Sequence, residues 1–146
     1  MNTPVSFELA KLLKEKGYDL STEGFYPKPK CKLFAIDEHG RYYPIVNKTQ
    51  SSFDGKALVY FHGKAVVLKE ENYYNAPTIA EVVMWLYEKH GIWIGVICDV
   101  GNDLLFTFKI YSTKIGEERC IVNGNMYESP TEAYEAGIEY TLNNLI

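Results

Sequence analysis

The chain has 146 residues, of which 47% are hydrophobic and 23% are charged. This composition is typical of a folded globular protein, and it excludes an intrinsically disordered chain. Residues 1–69 hold 11 Lys/Arg against 7 Asp/Glu and residues 70–146 hold 4 against 12, so the second half is acidic and general nucleic-acid binding is not expected.

The sequence predicts a cytoplasmic protein without a membrane helix. Its longest apolar run, Ile92–Cys98, falls far short of the roughly 20 residues that cross a bilayer. The N-terminal segment has the pattern of an amphipathic helix, so no secretion signal is expected there. Cys31, Cys98 and Cys120 are odd in number and widely spaced, which argues against a disulfide framework or a zinc site and favours a reducing compartment.

The first predicted element is an amphipathic helix. Thr3 can cap it, Pro4 suits its first position and Gly17 ends it. Leu9 and Leu13 lie on its apolar stripe, and the charged side chains face water.

Short strands are predicted for the rest of the first half. Residues 19–30 contain two prolines and are expected to be an extended connector. Residues 31–45 have the pattern of two strands around a tight loop, residues 47–55 that of a polar loop, and residues 56–70 that of two short strands or one bent strand.

A second helix and a long apolar strand are predicted in the middle of the chain. Thr78 and Glu81 form a capping box, in which each side chain accepts a backbone N–H of the other residue. Gly91 ends the helix. Ile92–Cys98 is apolar on both faces, which predicts a central strand covered on both sides.

Trp85 lies at the border of the buried face of this second helix, about 100° from Leu86 on the helical wheel. Gly95 in the following strand leaves space for a large ring, since a strand glycine often marks close packing. We therefore predict that Trp85 folds over the sheet as core, rather than anchoring a subunit contact.

Two further strands and a hairpin are predicted next. Residues 104–111 alternate between apolar and polar side chains, as a strand with one buried face does. Asn123-Gly124 predicts a two-residue hairpin turn, because both residues accept the positive φ that this turn requires. The turn would pair Arg119 with Glu128 across the strands.

The last helix is predicted to begin at a second capping box, Ser129–Glu132, and its small residues Ala133 and Gly137 can approach a sheet closely. The whole sequence therefore predicts a single α+β domain over residues 1–146. Its sheet is expected to be mainly antiparallel, with short strands and three helices in the order α-βββ(β)-α-ββββ-α.

No sequence pattern points to catalysis, a metal or a cofactor. His39, His62 and His90 share no i, i+4 spacing of the kind that places metal ligands on one helix face. Cys31 with Asp37, Glu38 and His39 could be drawn as a nucleophile and its base, but acidic residues in a hairpin loop are usually just solvated. We predict no catalytic residue, no metal ligand and no cofactor.

The chain is rich in tyrosine, with 12 in total, and four of them form two adjacent pairs. Neighbours on a strand point to opposite faces, so one ring of each pair is expected to be exposed. Such rings with nearby cations suit a protein interface, although they could also cover the edges of a sheet. The predicted binding surface comprises Tyr42, Tyr43, Tyr73, Tyr74, Lys28, Lys30 and Lys32.

Three blocks of sequence, KLLKEKGYDL, NAPTIAEVVMWLYEKHGIWIGV and YESPTEAYEAGIEYTLNNLI, carry a resemblance to a known family. They resemble an uncharacterised family of small proteins from phages, prophages and other mobile elements of gut anaerobes. The shared features are a helix end L-x-x-x-G-(Y/F)-D, an A-P-T helix with W-L, and a terminal E-A-x-x-A-G-I helix. The resemblance implies a mobile-element origin and supplies no activity.

The leading functional hypothesis is a non-enzymatic binding protein of phage type that acts on a host protein, with self-association as a further option. The first alternative is a small-ligand site for a nucleotide-type molecule, or a cryptic hydrolase, which needs a closed pocket with convergent polar groups. The second alternative is binding of single-stranded nucleic acid by Tyr26 and the lysines of residues 28–32.

Overall fold

The structure of the protein is a computed structural model. It describes residues 1–20, 22, 24–27, 34–36, 42–44, 50–53, 56–61, 64–67, 73–101, 104–113 and 119–146. These residues form two compact units: an N-terminal unit, Pro4–Pro77, and a C-terminal unit, Met1–Thr3 with Thr78–Ile146. The structure combines helices with antiparallel sheets, which confirms the α+β class. A single domain over residues 1–146 stays a prediction.

Three helices and ten strands are present among the described residues. The helices are α1 (Phe7–Glu15), α2 (Ile79–Trp85, continued by a π-helical turn, Leu86–His90) and α3 (Pro130–Asn144). The strands are β1 (Gly24–Pro27), β2 (Phe34–Ile36), β3 (Tyr42–Pro44), β4 (Gln50–Phe53), β5 (Lys56–Phe61), β6 (Lys64–Val67), β7 (Tyr73–Asn75), β8 (Ile92–Val100), β9 (Leu104–Ser112) and β10 (Arg119–Tyr127).

Five strands of the N-terminal unit form one antiparallel sheet in the order β6-β5-β4-β1-β7. The predicted hairpins are confirmed, because β2 pairs with β3 and β5 pairs with β6 as two separate strands. Two other predictions are wrong: the connector 19–30 contains β1, and the polar loop 47–55 contains β4. Both strands are short, and pairing with sheet neighbours sets their conformation more than their own residue pattern does.

Helix α1 begins at Phe7 and not at Pro4, so this detail of the prediction is wrong. The Val5 N–H donates to the Pro77 carbonyl over 2.9 Å, which holds the preceding segment in extended backbone. The end is as predicted, because Gly17 follows the helix with φ 85°. Leu13 is 1% exposed, so the predicted apolar stripe is the buried face.

Helix α3 packs on one face of the three-stranded sheet β10-β9-β8. The predicted close approach is confirmed at Gly137, where an added Cβ would lie 3.0 Å from Ile94 Cγ2 and 3.1 Å from Phe108 Cγ. Ala133 on the same helix is fully buried. The small side chains therefore let the helix backbone lie directly on the sheet.

Strand β8 is an edge strand of this sheet as described, and the prediction of a central, doubly covered strand is wrong. Ile94 is fully buried on the α3 side, whereas Trp93 and Ile97 are 39% and 42% exposed on the other. β9 occupies the centre instead, and it pairs with β8 from Ile92 opposite Ser112 to Val100 opposite Leu104.

The Asn123-Gly124 hairpin is also absent, because residues 119–127 form one continuous strand paired with β9. The register shifts between Asn123 and Met126, so the glycine lies in an irregular part of the ladder. A Cβ at Gly124 would overlap the Phe108 ring, with Cζ at 2.6 Å. The glycine therefore permits close packing and does not form a turn. The predicted pair of Arg119 with Glu128 is replaced by a pairing of Arg119 with Ser112.

Both predicted capping boxes are confirmed. The Thr78 N–H donates to Glu81 Oε2 over 2.6 Å, and Ser129 pairs in the same way with Glu132 at the start of α3. Trp85 is 3% exposed, so its assignment to the core is confirmed. It does not cover Gly95, however.

Candidate functional site

One face of the C-terminal sheet carries large apolar side chains that α3 does not cover. Cross-strand pairing places Trp93 opposite Tyr111, and Ile97 opposite Thr107, which in turn faces Met126. Residues directly opposite one another share a face of the sheet. Ile97 is 42% exposed and Met126 is 51% exposed. We call the surface formed by Trp93, Ile97, Lys109, Tyr111 and Met126 the open sheet face.

The aromatic part of the open sheet face is built around a glycine. An added Cβ at Gly95 would lie 3.8 Å from both Trp93 Nε1 and Tyr111 Cε2, so the two rings lean over that position. Tyr87, from the π-helical turn that follows α2, packs edge-on against the Trp93 ring with 5.9 Å between centroids. These neighbours support the indole from two sides while leaving it 39% exposed. A supported ring binds with little loss of side-chain entropy.

Among the described residues, Lys109 is the one cation at the centre of the open sheet face. Lys109 is on the middle strand, between Gly95 of β8 and Asn123 of β10. Asp99 is on the same face, four residues along β8 from Gly95 and therefore about 13 Å away at 3.3 Å per residue. The described part of the chain shows no ion pair for Lys109. The face is thus apolar and aromatic around a central ammonium group.

The predicted tyrosines that the structure describes are engaged within the N-terminal unit. Tyr73 packs edge-on against Phe25 with centroids 5.6 Å apart, and Tyr74 packs against Phe7 at 5.7 Å. The Lys14 ammonium lies 6.0 Å and 5.8 Å from these two ring centroids and donates to the Tyr73 carbonyl. Both tyrosines are half-buried, which fits the reading that they cover a sheet edge. Their role in binding stays a prediction.

The other predicted site residues fall outside what the structure describes. Lys28, Lys30 and Lys32 lie outside the described residues, and so do the side chains of Tyr42 and Tyr43, whose backbone forms β3. The same holds for the residues weighed for catalysis or metal binding in the first half, namely Cys31, Asp37, Glu38, His39 and His62.

Two findings on the described residues bear on other kinds of site. They contain no group of three or more His, Cys, Asp or Glu side chains arranged to hold a metal ion. No helix among them is long and apolar enough to span a membrane. His90 packs its ring against Trp85, with 4.9 Å between centroids, at the end of the π-helical turn.

The sequence contains a signal for the open sheet face, namely the apolar side chains on both sides of strand β8. Trp93 and Ile97 are on one side of a strand that is apolar on both sides, and this pattern by itself predicts that the strand is completely buried. Met126 was placed in a hairpin and so was not expected beside them. The surface becomes visible only when the register of β8, β9 and β10 is known.

No protein-family model, curated protein or solved structure matches this chain. The resemblance to small phage and prophage proteins therefore stays a prediction from the sequence.

Proposed function

We propose that the protein is a non-enzymatic binding protein that acts on a host protein through the open sheet face. The observation that carries this proposal is the exposure of Trp93, Ile97 and Met126 on one sheet face that also holds Tyr111. Contiguous exposed apolar side chains on a folded protein mark sites of interaction, and Trp, Tyr and Met are enriched in them. None of these four side chains is a usual nucleophile or base at neutral pH.

The partner is proposed to present an apolar surface that carries a carboxylate. Lys109 lies among the apolar side chains of the open sheet face, so a partner that covers it must neutralise its charge or bury it unpaired. An acidic group on the partner meets this requirement, and it also steers the encounter.

Self-association through the same face is disfavoured. In a symmetric dimer each patch meets an identical patch across a twofold axis. Lys109 is central on the face, so an axis through that centre would bring two ammonium groups together in an apolar contact. Like charges placed opposite each other cost several kcal/mol at an interface. A different protein is therefore the proposed occupant.

The proposed setting is the cytoplasm of a host cell that carries a phage or prophage. Cys98 and Cys120 are exposed free thiols, which suits a reducing compartment. The mobile-element origin rests on the sequence resemblance alone.

The test identifies a partner and then measures its affinity with purified proteins. A photo-reactive residue at position 126 is cross-linked in host lysate, and the captured protein is expressed and titrated by calorimetry. Trp93→Ala is expected to weaken binding by about 30-fold, as loss of an interface hot spot does. Lys109→Glu should weaken it further at low salt, because it sets like charges against each other.

Met84→Ala is the matched control, since Met84 is 44% exposed in the same unit but lies on helix α2. It is expected to change the affinity less than twofold. The proposal is wrong if the purified partner binds the Trp93 and Lys109 variants as tightly as the unmodified protein. A dimer in sedimentation experiments that Lys109→Glu abolishes would replace the host protein with a second copy as the occupant.

A further inference from the structure

A second feature of the C-terminal unit is a cleft of about 380 Å³ between strand β10 and helix α3. It is independent of the open sheet face, because α3 covers the opposite side of the sheet. Binding sites for small molecules usually measure about 300–1,000 Å³, so the cleft is large enough for one small ring.

Aromatic rings form the apolar part of this cleft. Phe108 is 4% exposed and lies beneath Gly124, with the Tyr127 ring centroid 6.2 Å away and that of Tyr140 6.4 Å away. The Tyr140 ring is 39% exposed, so a bound molecule can reach it. Because Gly124 has no side chain, the buried Phe108 ring beneath it forms the floor of the cleft.

Polar side chains converge on the same cleft from two elements. Asn125 comes from β10, and Glu139 and Asn143 come from α3. Asn123 also borders the cleft, but it pairs with Lys109, so its side chain is on the open sheet face. On the helix, residues 136, 139, 140 and 143 follow the i, i+3, i+4, i+7 spacing that aligns side chains along one face. Within the described part of the chain, the side chains of Asn125, Glu139 and Asn143 make no hydrogen bond or ion pair with one another or with other side chains. Their hydrogen-bonding groups are thus available to a ligand.

The charge of the cleft restricts the class of ligand. No Lys, Arg or His is among the described residues that line it, and Glu139 is its one acidic group. A phosphate or carboxylate would therefore meet a negative charge with no cation to offset it. The carboxamides of Asn125 and Asn143 each offer two N–H donors and one carbonyl acceptor. Only a ligand rich in groups that both donate and accept uses this set fully.

We infer that this cleft binds a neutral sugar ring. Each hydroxyl of a sugar both donates and accepts, which matches the carboxamides of Asn125 and Asn143. The C–H face of the ring can lie on the exposed Tyr140 ring through weak C–H contacts and apolar burial. The Glu139 carboxylate accepts from a hydroxyl and requires no cationic partner.

Two other ligand classes fit this cleft less well. An ammonium ligand would pair with Glu139 and the aromatic rings but would leave the Asn N–H donors unused. A nucleobase would stack on Tyr140 from one side only, because Phe108 is buried beneath Gly124, and its phosphates would face Glu139. The sugar is the class that uses both the donors and the single exposed ring.

The experiment titrates the whole ¹⁵N-labelled chain with a panel of hexoses and N-acetylhexosamines into the millimolar range. An open cleft and a ligand this small set the expected Kd on the order of 1 mM. The side-chain amide signals of Asn125 and Asn143 should shift with the binding sugar. Asn143→Ala should weaken binding about tenfold, whereas its neighbour Asn144 donates to the Tyr140 carbonyl, does not line the cleft, and should tolerate alanine.

Further variants test the Tyr140 ring and the Glu139 charge. Tyr140→Ala should abolish measurable binding, and Tyr134→Ala, on the same helix but outside the cleft, should not change it. Glu139→Gln should change the affinity by less than threefold, because the amide oxygen still accepts from a hydroxyl. If an oligosaccharide of the same sugar binds more tightly, the natural ligand is a glycan. If it binds equally well, the natural ligand is a free sugar, and both results support the inference.

Absence of amide shifts with every sugar in the panel overturns the inference. It is also overturned if an alkylammonium probe binds and Glu139→Gln removes that binding, since the site would then recognise a cation. Glu139, Tyr140, Asn143 and Asn144 are exposed and Tyr134 is half-buried, so loss of folding is not the expected effect, and an unchanged amide spectrum away from the cleft verifies this.

Discussion

Gly124→Ala should destabilise the C-terminal unit by about 2 kcal/mol. The added Cβ would overlap the Phe108 ring, whose Cζ would be 2.6 Å away. On the helix side the ring lies close to the α3 backbone, since an added Cβ at Gly137 would be only 3.1 Å from Phe108 Cγ, so the ring has little room to retreat in that direction. It can tilt only toward the open cleft.

Overpacking of this kind typically costs about 1–3 kcal/mol, and the freedom toward the cleft places this case near the middle of the range. For a chain of about 150 residues, 1 kcal/mol lowers the unfolding midpoint by about 2–4 °C. The expected shift is therefore about 4–8 °C. Gly101→Ala is the control, because nothing lies within 4 Å of its Cβ position and its φ is not in the left-handed region. That change should be neutral or slightly stabilising.

A double-mutant cycle shows whether the cost comes from the ring. Thermal unfolding is followed by circular dichroism for Gly124→Ala, Phe108→Leu and the double variant. If the Phe108 ring is the obstacle, the alanine should cost about 1 kcal/mol less in the leucine background. A glycine needed for the positive φ of a hairpin turn would instead cost the same in both backgrounds, and that result would refute the packing argument.

Substitutions at three further positions test the fold by the same unfolding assay. Trp85→Ala should cost roughly 3 kcal/mol or more, because it empties a core site that is 3% exposed, and the loss should not depend on protein concentration. A changed oligomeric state with an unchanged midpoint would contradict the core assignment. Thr78→Ala should cost about 1 kcal/mol by removing one half of the capping box, while Thr78→Ser should restore most of it. Gly17→Ala should cost about 1–2 kcal/mol, since φ is 85° there, and Gly17→Asn should cost less.

The features predicted correctly from the sequence are those set by a few neighbouring residues. A capping box needs only the Thr78 and Glu81 side chains and the backbone between them, so its spacing determines the start of α2. Gly91 ends the same helix with φ 66°, for reasons equally local. The antiparallel pairings of β2 with β3 and of β5 with β6 join segments that are close in the sequence.

The features that were predicted wrongly depend on residues that are distant in the sequence. Gly124 follows an asparagine, and this dipeptide suits a turn and a flat strand beside a bulky ring equally well. Phe108, sixteen residues earlier, decides between them by occupying the space above the backbone. β1 and β4 were missed for a related reason, since neighbouring strands impose extended conformation on segments that carry little strand pattern of their own.

The open sheet face depends on the same kind of distant information. An apolar strand such as β8 is consistent with two structures: one in which the protein covers both faces, and one in which it covers a single face. The register shows that α3 covers Ile94, while Trp93 and Ile97 stay exposed beside Met126. An apolar face retained by a folded chain needs a reason outside that chain's own packing. The residues that made β8 look like a buried strand are therefore the same residues that support a binding partner.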